Sequence, residues 1–161
     1  MSLGAVLTLS RPRPLPAIIW GGLLCGILDI SSAVVAYYIY RRVSPIRIFQ
    51  SVAAGAIGRN AALSGGWKTA LLGLAFHFPI AFTAAAVFYL ASRRIDFLTR
   101  YPYISGALYA EAVYLFMNFV VIPLSATARG PFIWPVLVTG PIGHIFFVGL
   151  PISLAVRRFS R

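Results

Sequence analysis

Four titratable side chains lie deep inside long apolar runs of this sequence: Asp29, His77, Glu111 and His144. Carboxylates and imidazoles exchange protons, bind cations, and ligate transition metals or haem. In hydrocarbon each charged group costs about 3 kcal/mol on insertion scales, so each must pair, line a polar path or hold a ligand. Asn118 adds an amide on the Glu111 face, with Tyr114 between them and Ser125 further along.

The elements that position these groups are four apolar runs, about Leu15 to Tyr40, Trp67 to Ser92, Tyr103 to Leu124 and Phe132 to Val156. Each is long enough, at about 1.5 Å per residue, to cross a hydrocarbon core of about 30 Å as a helix. Asp29 falls about one residue from the middle of its span, His77 and Glu111 about two or three, and His144 at the middle, so all four are expected within about 4 Å of one midplane. Asp29 shares its helix face with Gly22, Gly26 and Ala33; His77 shares its face with Ala70, Gly73, Ala81 and Ala84; and Gly140 precedes His144 by one turn. Small residues let helix backbones approach, so these faces are packing faces. Pro79 and Pro141 each deprive a carbonyl, those of Ala75 and Leu137, of its usual donor. Freed carbonyls beside histidines near the midplane are also a feature of transporter helices.

Composition supports the membrane reading. The 161 residues are 60% hydrophobic and 11% charged, whereas soluble domains average about 25% charged. The net charge of +11 comes from 14 basic against 3 acidic residues. The arginines cluster at span ends, as in Arg41-Arg42, Arg93-Arg94 and Arg157-Arg158, where they meet anionic headgroups; no basic helix exists to grip a phosphate backbone, and nucleic acid is excluded as a partner. The lone Cys25 allows no intramolecular disulfide and reads as a small packing residue. The first apolar run is too long for the core of a cleavable signal and contains Asp29, so it is expected to stay as a span. Neither Asn60-Ala61-Ala62 nor Asn118-Phe119-Val120 is a glycosylation acceptor. The serines lack any G-x-S-x-G setting, and phosphate-loop and dinucleotide motifs are missing.

Between spans one and two, Ser44 and Pro45 mark a helix start and Gly58 a stop. Over about 45–58, Ile46, Phe49, Val52, Ala53, Ala56 and Ile57 fall on one side, with Arg47, Gln50, Ser51 and Ala54 on the other. This short amphipathic helix, about 20 Å long, lies in the interface or re-enters the membrane beside protein. The Arg11-Pro12-Arg13-Pro14 lead-in is expected to be extended. With four crossings, eight basic residues share a side with the termini and six take the other, which favours cytoplasmic termini.

The expected fold is therefore an all-α integral membrane protein, a four-helix transmembrane bundle with one short amphipathic interfacial or re-entrant helix. Four roles fit Asp29, His77, Glu111, Asn118 and His144. They form a hydrogen-bonded network that fixes helix pairing, or the site of a small-solute or proton-linked carrier, which with four spans needs a homo-oligomer. Alternatively His77 and His144 ligate a metal or haem, although Glu-x-x-His pairs are lacking and no cofactor is required by the sequence. The fourth role is that of an accessory subunit in a larger membrane complex.

Ser44-Pro45 with Arg47 and Gln50-Ser51, the runs Leu74-Ala75-Phe76-His77-Phe78 and Met117-Asn118-Phe119-Val120, and Thr139-Gly140-Pro141-Ile142-Gly143-His144 together resemble a group of small bacterial multi-pass inner-membrane proteins. The resemblance covers most of the chain. It implies the bacterial inner membrane as location and brings no activity with it.

Overall fold

The computed structural model describes residues 13–127 and 134–160. Among these, every regular element is helical, and four helices are long and apolar enough to cross a membrane: span one, Pro14–Arg41; span two, Gly66–Ser92; span three, Pro102–Leu124; and span four, Val138–Phe159. The chain is an all-α integral membrane protein. The helix of span four begins at Trp134, its expected start at Phe132 lies outside the described residues, and it runs past Val156 to Phe159. Pro14, expected in an extended lead-in, instead opens span one, because the first helical position needs no amide hydrogen and suits the fixed φ of proline. Span one stops at Arg42, which adopts a left-handed conformation (φ 54°) while its amide and that of Val43 donate back to Tyr38 and Tyr37.

Span one lies between spans two and four, and span three packs on span four. Glycines make these crossings close. A Cβ on Gly22 would strike the Phe82 ring, and one on Gly26 would come within 2.8 Å of the Phe78 ring, so two turns of span one fit against two phenylalanines of span two. Where span three meets span four, Gly106 and Gly149 bring backbone onto backbone: a Cβ on Gly149 would strike the Gly106 carbonyl. Lipid tails are as apolar as leucine, so this contact area, more than exclusion of water, holds helices together. The large apolar side chains accordingly point outward, Leu124 at 82% and Phe119 at 68% exposure.

Between spans one and two lie the amphipathic helix Pro45–Ile57 and a short helix Arg59–Ser64, joined at Gly58 with φ 81°. The amphipathic helix packs on the start of span two, where Gly73 admits the Phe49 carbonyl. Its protein-facing side draws on both expected sides, Ala53 from the apolar one and Gln50 and Ala54 from the other, while Arg47 and Ser51 stay exposed. Gln50, only 1% exposed, is buried together with Ile48, Ala53 and Ala54, while Ile46 and Ile57 are exposed. The reason is the solvent: bilayer accepts the isoleucines, and only protein offers Gln50 partners. Its amide donates to the Gly66 carbonyl at 2.8 Å and the Thr69 hydroxyl at 3.2 Å, and its oxygen accepts from Arg47 at 3.3 Å. Gln50 thus ties the helix to the first turn of span two.

Packing is unequal along the bundle axis. Buried residues of span one end at Gly26, those of span three end at Ala110, and those of span four, among the described side chains, begin at Val148. The half of the bundle carrying residues 14–26, 102–110 and 148–159 is close-packed around Cys25, Ala85, Phe88 and Ile152. In the other half, the described parts of spans one, three and four bury no residue fully. Substituting Gly149→Val should therefore destabilise the protein by about 3 kcal/mol or prevent folding, whereas Gly143→Ala, with its nearest neighbour Phe147 at 3.8 Å, should be nearly neutral. Thermal unfolding in detergent checks both.

Candidate functional site at the membrane midplane

Three of the four titratable residues fall where the close packing of their spans ends. Asp29 is three residues beyond Gly26, Glu111 follows Ala110 directly, and His144 precedes Val148 by four. Asp29, Glu111 and His144 are half-buried, whereas His77 is buried at 8% exposure. The layer expected from span midpoints thus coincides with a physical boundary in the fold.

His77 is held at the crossing of spans one and two. Its Nε2–H donates to the Gly26 carbonyl at 2.9 Å, and its ring stands edge-on to Phe78, with centroids 5.8 Å apart. The small face expected around it is present, since Ala70, Gly73 and Ala81 are buried on the same side.

His144 and Glu111 belong to a second group centred on Tyr114. The Tyr114 ring meets His144 edge-on at 5.1 Å and covers Gly140, where a Cβ would come within 3.0 Å of it. Tyr114 is also within electrostatic reach of Glu111 on its own helix and of Tyr37 on span one. The His144 Nδ1–H donates to the Gly140 carbonyl at 3.0 Å, and the Asn118 amide donates to the Tyr114 carbonyl at 2.9 Å. Glu111 contributes Oε1, which is buried and has no hydrogen-bond partner. Asp29 lies one turn beyond the buried Cys25, within its electrostatic reach.

Prolines shape this layer, at positions the sequence reading passed over. Spans three and four each contain a π-helical turn, Met117–Val121 and Ile145–Gly149, and each turn is followed two residues later by a proline, Pro123 and Pro151. A proline ring collides with the carbonyl four residues before it, here Phe119 and Phe147, and widening the preceding turn relieves the clash. One extra residue in a helix rotates everything beyond it by about 100°. Ser125, expected on the Glu111 stripe, is turned away by this offset and packs on the amphipathic helix, its Cβ 3.7 Å from where a Cβ on Gly55 would stand, while the Ala126 amide donates to the Gly55 carbonyl at 2.9 Å.

The expected set therefore divides into His77 on the span one backbone, a Tyr114 group containing Glu111, Asn118 and His144, and Asp29, which belongs to neither. Among the described residues no three histidine, cysteine or carboxylate side chains are grouped as a metal site would need, and His77 and His144 face different neighbours. Replacing His77 with alanine should cost about 1 kcal/mol, from one interhelical hydrogen bond and a small void, and His77→Gln should recover part of it. Denaturant titration of the purified protein in mixed micelles measures the difference. No known family model matches this chain, and no curated protein or solved structure is similar to it.

Proposed function

We propose that this chain is a small-solute or proton-linked membrane carrier whose exchangeable group is Glu111. The observation that carries the reading is the buried, unpartnered Oε1 of that carboxylate. A polar group whose only task is to join helices is expected to have its bonds made, and leaving one unmade costs about 1–3 kcal/mol. An orphan oxygen fits a group that takes up and releases a proton or a polar ligand. Tyr114 and His144 stand beside it as relay groups, and Asp29 is the second carboxylate of the layer. The wide turns of spans three and four lie on either side of the Tyr114–His144 contact along the bundle and supply adjustable backbone there.

Four spans are few for a carrier, so the working unit is a homo-oligomer. Span three supports this, since only 6% of its most apolar window is buried within one chain. The same bare face favours the second reading, an accessory subunit of a larger membrane complex, which co-purification of a different chain would distinguish. The location is the bacterial inner membrane with cytoplasmic termini; in support, eight basic residues lie on the terminal side against six on the other.

Proteoliposomes loaded with a pH-sensitive dye test the reading. Under a potassium diffusion potential, proton entry should exceed that of empty vesicles several-fold. Glu111→Gln should reduce it to the empty-vesicle level, and His77→Gln should leave it within about twofold. Wild-type vesicles as proton-tight as empty ones, or full activity in Glu111→Gln, would overturn it.

A further inference from the structure

A groove of about 430 Å³ runs along the outside of the bundle between spans one and four, on the half that carries the termini. One wall is Trp20, Leu24 and Leu28, successive turns of a single helix face; the other is Phe146, Leu150 and Leu154. The floor exists because the helices approach closely between these walls, a Cβ on Gly21 lying only 3.6 Å from that of Ala155. Large side chains beside a small-residue crossing leave a furrow open to the side, which protein does not fill.

Length and charge identify an occupant. From Phe146 to Arg158 the groove follows twelve residues of span four, about 18 Å of helix, close to the roughly 15 Å of one leaflet's hydrocarbon. Its walls are apolar throughout, and Arg158 lines the end at the membrane surface. Two more arginines have their backbone near that end: Arg157, next in the chain, and Arg13, whose amide donates to the Phe159 carbonyl at 3.0 Å. The opposite end, lined by Leu28 and Phe146, lies near the midplane, and no charged side chain lines it, although Asp29 is next to Leu28 in the chain. A cationic mouth above an apolar furrow one leaflet deep complements a single amphiphile, one acyl chain below an anionic phosphate.

We infer that the groove between spans one and four is a binding site for an anionic phospholipid, with an acyl chain along Leu24 and Leu150 and its phosphate at Arg158. The site lies on the outer surface of the bundle and is separate from the Glu111 layer, so the inference stands apart from the carrier reading.

Native mass spectrometry of the purified full-length protein tests it, with phosphatidylglycerol and phosphatidylcholine of identical chains supplied at equal concentration. The wild type should retain phosphatidylglycerol about fivefold better or more, and Arg158→Gln should lower that retention about fivefold. Leu24→Trp, which fills the furrow, should reduce retention of both lipids, with Leu154→Phe as the second filling variant should Leu24→Trp fail to elute as a folded species. Equal retention of the two lipids by the wild type would overturn the inference. Unchanged phosphatidylglycerol retention in the Arg158 and groove-filling variants would do so too, as would a lipid-free dimer that the filling variants dissociate.

Discussion

Close approach of helix backbones is the interaction on which this structure depends. In water a bundle is held by burying leucines; in lipid a leucine gains little by moving from tail to protein. What remains is dispersion over intimate contact, and intimacy requires that one side of the crossing lack a side chain. Gly22 and Gly26 admit phenylalanine rings, Gly73 admits the carbonyl of Phe49, and Gly106 and Gly149 admit each other. These crossings set which helices are neighbours and at what depth. Depth in turn decides where Asp29, Glu111, His77 and His144 stand.

The same solvent logic explains the amphipathic helix. A pattern of Ile46, Phe49, Val52 and Ile57 suggests a buried apolar side only if the exterior is water. Facing a bilayer, the helix turns Gln50, Ala53 and Ala54 inward, and Gln50 becomes one of the most buried large side chains among the described residues. The interior is thus rich in glycine, alanine, serine and hydrogen-bonded polar groups around a few large apolar side chains such as Phe88 and Ile152, with most of the aliphatic bulk as the coat.

Span number, span limits and the depth of the titratable layer were legible in the sequence, because length, hydropathy and arginine position act locally. The small faces around His77 and Asp29 were legible too, since helical spacing is periodic. Partnerships between helices were not. Nothing in the spacing of Tyr114 announces that it meets His144, and the division of the expected cluster into two groups depends on how the spans cross. The widened turns were readable only in part: Pro123 and Pro151 were visible, but whether a proline kinks a helix or widens the turn before it is decided by the neighbours. That choice moved Ser125 from the polar stripe to the amphipathic helix.

A bundle whose spans one, three and four are close-packed in one half only does not respond to its bilayer evenly. Spans of 28, 27 and 23 residues exceed the thickness of a typical hydrocarbon core, and the excess is accommodated by tilt. In the half fastened by Gly21, Gly106 and Gly149 the helices tilt only as a block. Beyond the midplane span two stays fastened to the amphipathic helix at Gly73 and Gln50, while the described parts of spans one, three and four have no fully buried residue to hold them. Those three spans carry Asp29, Glu111 and His144, so an adjustment to bilayer thickness falls first on the helices that bear the polar layer.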